Sequence, residues 1–152
     1  MVNEDASAVF VDTNVLVYAR VAGAPVHQPA RDAIQRLYDA GAEIWISRQV
    51  PREYLAVLTR PQTFAKSQPI EVLTEDVRLF ERRFRVAKDG PEVMGQLLSL
   101  LQQIPVGGGQ VHDANIIATM LAHDISRLLT HNVGDFARFA RWITILPLET
   151  DA

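Results

Sequence analysis

Four acidic residues occupy positions from which carboxylates could meet at one edge of a folded sheet. Asp12 directly follows the apolar run 9–11, and Asp113 opens a strongly apolar stretch with helical periodicity. Glu53 lies early in another helical pattern, and Asp135 follows a further apolar segment. Carboxylate oxygens are the ligands that Mg²⁺ and Mn²⁺ prefer in proteins. The four residues therefore indicate a divalent metal site that could activate water against a phosphodiester.

Short apolar segments alternate with helical segments along the chain. Strands are predicted at residues 9–11, 44–46, 84–87, 128–130 and 143–146. Helices are predicted at residues 13–19, 29–40, 48–60, 71–82, 91–104, 112–123 and 136–139, with Ser47 capping the third. This alternation predicts an α/β fold with three α/β/α layers around a central, mainly parallel, five-stranded sheet. In such folds the ligand crevice lies at the carboxyl ends of the strands.

The size and composition of the chain are typical of one soluble domain. We expect its 152 residues to form a single domain, residues 1–152, with a core at about 8–148. The chain has no cysteine, which excludes disulfides and thiolate metal sites. No segment approaches the roughly 18 apolar residues of a membrane helix, and the acidic first five residues are unlike a secretory signal. We therefore expect a cytoplasmic protein that does not enter a membrane.

The charge of the chain leaves the class of substrate open. A net charge of −3 counts mildly against a nucleic-acid binder, because such proteins are often basic. Of the 15 basic residues, however, only Lys66 and Lys88 are lysines and the rest are arginines. Arginine is the side chain best suited to bidentate contacts with phosphate. Four acidic metal ligands would also make the chain more acidic than its substrate-facing surface.

Each acidic residue also has a structural interpretation when it is taken alone. Glu53 could be a solvated helix residue, and an Asp before a helix, such as Asp113 or Asp135, is more often an N-cap than a catalyst. Asp12 fits this interpretation least, because it ends a continuous apolar strand and is followed by Thr13 and Asn14 instead of an ordinary turn. The four residues together carry more weight than any one of them.

Four sequence blocks resemble, in the same order, those of the PIN-domain ribonucleases, and particularly the VapC-like toxins of bacterial toxin–antitoxin pairs. The blocks are VFVDTNVLVYA at 9–19, ISRQVPREY at 46–54, VHDANIIA at 111–118 and LTHNVGDF at 129–136. They span nearly the whole chain, and together they are far more specific than the first block alone. The resemblance implies a PIN-like α/β/α fold.

The resemblance also implies roles for individual residues. Asp12, Glu53, Asp113 and Asp135 match the four acidic positions of the family, and Asn14 matches the polar residue that orients the first Asp. Thr130 and Asn132 match polar positions that support the last acidic residue. Because Mg²⁺ takes few direct carboxylates, we expect Asp12 and Asp113 to be direct ligands. Asp135 would complete a second metal position or hold water, and Glu53 would contact the metal through water or help to orient the nucleophile.

The activity that the resemblance implies is a Mg²⁺- or Mn²⁺-dependent endoribonuclease that acts as a toxin. Its partners would be an RNA substrate, a small cognate antitoxin that inhibits it, and a second copy in a homodimer. Arg60 lies seven positions after Glu53, so a continuous helix would put both on one face. Arg60 could then contact substrate phosphate or pair with a nearby acid.

Two other classes of function compete with this interpretation. Phosphatases and phospho-acceptor domains also place an Asp after the first strand, but the phosphatases normally have another Asp where this chain has Asn14. Both chemistries use a lysine at a later strand end, and only Lys88 lies near one. The third class is a catalytically silent binding scaffold that keeps the fold. Its acidic positions would not bind metal.

Overall fold

The computed structural model describes residues 7–149, in which five strands form one sheet. The strands are β1 (Ala8–Val11), β2 (Glu43–Ser47), β3 (Arg85–Ala87), β4 (Arg127–Leu129) and β5 (Thr144–Leu146). Their order across the sheet is β3-β2-β1-β4-β5, and every neighbouring pair is parallel. The chain therefore builds the sheet outward from β1 in one direction and then returns to build the other side. A crevice forms where the direction reverses, between β1 and β4.

Helices cover the sheet and complete the three α/β/α layers that the sequence predicts. They are α1 (Thr13–Arg20), α2 (His27–Asp39), α3 (Gln49–Leu58), α4 (Ile70–Arg83), α5 (Pro91–Gln103), α6 (Gln110–Ala122) and α7 (Val133–Phe136), which a 3₁₀ turn (Ala137–Phe139) extends. α1 packs against α2 and α3, and α5 packs most extensively against α6. The predicted strands and helices are confirmed, with shifts of one or two residues at most boundaries.

The central strand explains why the sequence begins with a continuous apolar run. Val9, Phe10 and Val11 are each 0% exposed, because helices cover both faces of β1. In the register of the sheet, Phe10 lies between Trp45 of β2 and Leu128 of β4. A fully buried parallel strand has no solvent face, so it lacks the alternation of polar and apolar residues seen in half-exposed strands.

The prediction that Ser47 caps the third helix is wrong. Ser47 is the last residue of β2, and the N-cap of α3 is Arg48, whose side chain makes no capping hydrogen bond. The Ser47 hydroxyl is buried and has no hydrogen-bond partner within the described chain. The strand pairing to Ala87 of β3 extends to this residue, so tertiary structure outweighs the local capping preference.

One observation concerns membrane helices, and another concerns the extent of the domain. Within the described range, no helix has the length and apolar character needed to cross a membrane. Residues 1–6 and 150–152 of the expected single domain lie outside that range. The extent of the domain stays a prediction.

Two glycines should respond in opposite ways to the same substitution. Gly41 follows α2 with a φ of 75°, where its N–H donates to the Tyr38 carbonyl at 3.0 Å. Gly95 lies exposed inside α5, where an added methyl group meets nothing within 4 Å. Gly41→Ala should lower the free energy of unfolding by about 1 kcal/mol, because a Cβ disfavours the left-handed conformation. Gly95→Ala should raise it by roughly 0.5–1 kcal/mol. Urea denaturation measures both, and equal signs would contradict the assignment of the two backbone conformations.

Candidate active site

Asp12 and Thr130 are brought together because they follow adjacent parallel strands. The Asp12 amide donates to the Leu129 carbonyl at 3.0 Å, which continues the ladder between β1 and β4 by one residue. The Thr130 hydroxyl then donates to Asp12 Oδ2 at 2.8 Å. Both residues are buried, with 6% exposure for Asp12 and 0% for Thr130. The sheet register therefore fixes this carboxylate at the bottom of the crevice.

Two neighbours in sequence complete the set of donors to Asp12. The Thr13 amide donates to Oδ1 at 2.8 Å, which is a capping contact at the start of α1. The Asn14 amide group donates to Oδ2 at 3.0 Å, as expected for a residue that orients the first Asp. Asn14 Oδ1 also accepts from the His131 amide at 3.1 Å, which joins α1 to the segment after β4. Asp12 is thus both a helix cap and an oriented carboxylate.

Thr130 and Asn132 are the two residues expected to support Asp135, and their hydrogen bonds differ from that expectation. The Thr130 hydroxyl serves Asp12, and it also accepts from the Asn132 amide at 3.0 Å. Asn132 accepts through its carbonyl from the Asp135 amide at 3.1 Å, which shapes the first turn of α7. The Asn132 side chain lines the cleft beside Asp12. Thr130 is therefore a support for the first acidic residue.

Both oxygens of Glu53 are held by side chains that the sequence did not single out. The Thr13 hydroxyl donates to Oε2 at 2.9 Å, and Gln49 Nε2 donates to Oε1 at 2.9 Å. The same Gln49 amide group donates to the His112 carbonyl at 3.0 Å, and its oxygen accepts from Asn115 Nδ2 at 2.8 Å. Gln49 therefore ties the first turn of α3 to the first turn of α6.

The sequence alone indicates one contact of this network, the one between Gln49 and Glu53. Gln49 and Glu53 are four residues apart, the spacing at which helix side chains meet. The contacts of Gln49 with α6 join residues more than 60 positions apart, and no periodicity reveals them.

The capping alternative fails for the other two aspartates. The N-cap of α6 is Gly109 and that of α7 is Asn132, and neither Asp113 nor Asp135 makes a capping hydrogen bond. Asp113 is half-buried and Asp135 is exposed, each in the first turn of its helix. A negative charge is favourable there because the helix N-terminus carries a partial positive charge.

Burial and crowding make the Asp12 carboxylate costly to ionise. Burial raises the pKa of Asp12 from 3.8 to about 6, although the hydrogen bonds from Thr130 and Thr13 favour the charged form. The charges of Glu53 and Asp113 also contribute to this raised pKa. A carboxylate that accepts three hydrogen bonds yet keeps a raised pKa lies in strongly negative surroundings.

Asp113 experiences the same surroundings. Burial raises its pKa, and the charges of Asp135 and Glu53 add to the effect, against the opposing charges of Arg138 and His112. The four acidic residues therefore form one electrostatic group. No ion pair in the described part of the chain neutralises any of them.

All of the four acidic residues except Asp135 line a cleft of about 330 Å³, which has an acidic part and an apolar part. Asp12, Glu53 and Asp113 contribute the acidic part. The apolar part is formed by Val17, Tyr18, Val57 and Phe64. A second groove, of about 390 Å³, lies between α1, α2, α3 and α4, so α1 and α3 contribute residues to both.

The fold agrees with a comparison to known families. Residues 9–141 match the model of the PIN domain. The chain belongs to the PIN domain family. No curated protein sequence matches this PIN domain at a significant level.

Solved structures share the fold at low sequence identity. A chain of VapBC-1 from nontypeable Haemophilus influenzae is 18% identical, with a TM-score of 0.67 over 93% of this chain and 98% of that one. A chain of a toxin–antitoxin complex from Klebsiella pneumoniae is 18% identical, with a TM-score of 0.66 over 94% and 99%. The sarcin–ricin loop cleaving toxin VapC20 of Mycobacterium tuberculosis is 22% identical, with a TM-score of 0.60 over 79% and 86%.

The donors in the crevice fit a hydrated, oxygen-seeking divalent cation. Among residues 7–149, no three His, Asp or Glu side chains form a group that could hold one ion. The expected trio of Asp12, Asp113 and Asp135 is therefore not arranged as a ready coordination sphere. Mg²⁺ needs only one or two direct carboxylates and keeps several waters. A cluster of carboxylates without a basic partner suits that mode of binding.

Arg60 does not share a helix face with Glu53, because α3 ends at Leu58. Arg60 is exposed beyond the helix, next to cleft residues at 57 and 62. Arg138, by contrast, is exposed and close enough to Asp113 to lower its pKa. Sequence reasoning missed Arg138, since its helical turn belongs to a segment with no motif of its own.

The stability of the metal-free PIN domain should depend on the ionisation of Asp12. Its folded pKa of about 6 lies above the ordinary 3.8, so the stabilisation is complete below 3.8 and is lost as pH rises through 6. The loss should approach roughly 3 kcal/mol by pH 7.5. Denaturant titrations from pH 4 to 7.5 should show a flatter profile for Asp12→Asn than for the wild type.

Mn²⁺ should reverse this trend, since it binds only the ionised carboxylate and should stabilise the protein more at pH 7.5 than at pH 5. Parallel profiles for the wild type and Asp12→Asn, with and without Mn²⁺, would contradict the burial of an ionisable Asp12 at a metal site.

Proposed function

We propose that this PIN domain is a divalent-metal-dependent endoribonuclease whose site consists of Asp12, Glu53, Asp113 and Asp135. The observation that carries the proposal is the un-neutralised carboxylate cluster at the end of β1. Asp12 is buried, accepts three hydrogen bonds and faces the charges of Glu53 and Asp113. A fold gains no stability from such crowding. The arrangement is favourable when a cation occupies the crevice and carries the phosphate of a substrate.

Bound Mg²⁺ or Mn²⁺ would supply positive charge for the phosphate and lower the pKa of a water molecule. Asp12 and Asp113 are the proposed direct ligands, since Mg²⁺ takes only one or two carboxylates directly and burial raises the pKa of both. Glu53 is held by Thr13 and Gln49, so its carboxylate is positioned to orient a water through a hydrogen bond.

Asp135 and two arginines near the cleft have different proposed roles. Asp135 is exposed and near Asp113, which suits water-mediated binding or a second metal position. Arg138 and Arg60 are exposed near the cleft, where either guanidinium could contact substrate phosphate. An RNA substrate requires a compartment that contains RNA, so we propose that the protein acts in the cytoplasm.

We further propose that the protein is a toxin controlled by an antitoxin. The structure from Klebsiella pneumoniae that shares the fold is described as a toxin–antitoxin complex. In this chain, the groove between α1 and α4 offers apolar Leu16, Ile34 and Phe80 beside Arg31 and Arg83. An amphipathic partner segment with acidic residues would fit that surface. Because α1 and α3 also line the acidic cleft, such a partner would lie next to the site that it inhibits.

Self-association into a homodimer stays a prediction from the sequence resemblance. Met94 and Leu98 lie one turn apart on α5 with exposures of 53% and 55%, so they provide apolar surface that a second copy could cover.

The geometry disfavours the phosphatase and phospho-acceptor alternative. Asn14 donates to Asp12, where a phosphatase would need a second carboxylate as an acid. Lys88 follows β3, and β2 separates that strand from β1. Lys88 is not among the residues that line the acidic cleft.

Cleavage of a mixed cellular RNA pool tests the nuclease proposal. Purified wild-type protein with Mg²⁺ or Mn²⁺ should produce discrete fragments, and EDTA should abolish them. Asp12→Asn and Asp113→Asn should each lower the rate at least about 100-fold, because each removes a charge needed for metal binding. Asp32→Asn, on the exposed face of α2, is the matched control and should cleave like the wild type.

The two alternatives predict different results in the same assay. Cleavage that persists in Asp12→Asn would contradict the assigned site. No cleavage by folded, Mn²⁺-loaded wild-type protein would favour the phosphatase, and no Mn²⁺ binding at all would favour the silent scaffold.

A further inference from the structure

Tyr18 and Phe64 form an aromatic wall within the apolar part of the acidic cleft. Both rings are half-buried and line the same cleft as Asp12, Glu53 and Asp113. Tyr18 lies one helical turn after the residue that orients Asp12, so α1 presents both to the crevice. The wall is therefore next to the proposed metal site.

The rings of the wall are packed edge to face. The centroids of Tyr18 and Phe64 are 6.0 Å apart with an interplanar angle of 62°. The exposed ring of His131 contacts Tyr18 at 5.3 Å and 90°. The His131 amide is hydrogen-bonded to Asn14, so this ring is anchored to the backbone of the site. Such packing holds the aromatic planes in place before any ligand arrives.

Phe64 is also fixed by its own backbone. The Gln62 amide donates to the Ala65 carbonyl at 2.7 Å, and the Ala65 amide donates to the Gln62 carbonyl at 3.3 Å. The Gln62 side chain donates to the Val57 carbonyl at 2.7 Å, which ties this turn to the end of α3. A methyl group on Gly23 would lie 2.9 Å from the Phe64 carbonyl oxygen, so the absence of a side chain there permits close packing.

Charge alone cannot hold RNA in this cleft. Asp12, Glu53 and Asp113 repel a polyanion, and the whole chain carries a net charge of −3. A bound cation attracts the phosphate that it contacts, but the attached nucleoside still needs favourable contacts. Aromatic side chains provide them, because every nucleobase has a π-face that stacks on a ring regardless of its identity.

We propose that Tyr18 and Phe64 form a nucleobase subsite that stacks an unpaired base next to the cleaved phosphodiester. The proposal rests on the nuclease function and adds to it a base-binding contact next to the cleaved bond. A paired base is covered on both faces within a helix, so it cannot reach the wall. The substrate is therefore RNA that is single-stranded or looped at the cleavage position.

The test compares Phe64→Leu, which keeps apolar bulk but removes the ring, with Phe64→Ala and Phe84→Leu. Phe84 is a half-buried aromatic outside the acidic cleft, so its variant is the matched control. The substrate is a short RNA spanning a cleavage position mapped in the mixed RNA pool. Both Phe64 variants should lose about tenfold in kcat/KM, mainly through KM, while Mn²⁺ affinity is unchanged. Phe84→Leu should match the wild type.

An abasic nucleotide beside the cleaved bond sharpens the test. It should cost the wild type about tenfold and cost Phe64→Ala little more, because the ring and the base act as one pair. Wild-type rates in both Phe64 variants, or equal abasic losses in wild type and Phe64→Ala, would overturn the subsite and leave the nuclease intact.

If the wild-type protein cleaves no RNA, a measurement of RNA binding still tests whether the aromatic wall holds a base. The probe is a fluorescein-labelled single-stranded uridine dodecamer in Mn²⁺, measured by anisotropy. Affinity about tenfold weaker in Phe64→Ala and in Phe64→Leu would support base binding without a nuclease. Equal affinity for all variants, or no binding by any of them, would overturn the subsite together with the nuclease.

Discussion

The hydrogen bond between the Thr130 hydroxyl and the Asp12 carboxylate is the contact on which the site depends. It joins the residues that follow β1 and β4, the two strands at which the order of the sheet reverses. Parallel strands end at the same edge, so a register fixed by buried apolar residues also fixes these two polar ones. The same crevice then receives Glu53 from α3 and Asp113 from α6. The site is a consequence of sheet order.

The burial and crowding of carboxylates in the crevice lower the stability of the fold. Asp12 has a raised pKa although three donors favour its charged form, because burial and neighbouring carboxylates outweigh them. Hydrogen bonds among Thr13, Gln49 and Glu53 keep the crowded carboxylates in place. This combination of rigid support and uncompensated charge is characteristic of a site that binds a cation. The adjoining aromatic wall gives the cleft a second character, which a metal-binding site alone would not require.

The sequence predicts those helices and strands that have a clear hydrophobic pattern, and those site residues that lie directly beside such a pattern. The five strands, the parallel sheet and the position of Asp12 after β1 all follow from short apolar runs alternating with helices. The resemblance to PIN domains, based on four ordered blocks, is confirmed by the family match over residues 9–141.

The remaining features depend on contacts between distant parts of the chain. Ser47 has a good capping side chain, yet pairing with β3 makes it the end of a strand. The partner of Thr130 and the contact of Gln49 with Asn115 follow from packing and leave no pattern in sequence. Phe64 lies in a segment without helix or strand periodicity, so only the folded turn shows that it reaches the cleft.

Binding of Mn²⁺, followed by electron paramagnetic resonance, tests the central claim most directly. The signal of free Mn²⁺ should fall on addition of wild-type protein at neutral pH, and Asp32→Asn should behave in the same way. Asp12→Asn and Asp113→Asn should leave most of the Mn²⁺ free while keeping a cooperative unfolding transition. Equal binding by the wild type and both site variants would contradict the assignment of the acidic cluster as the metal site.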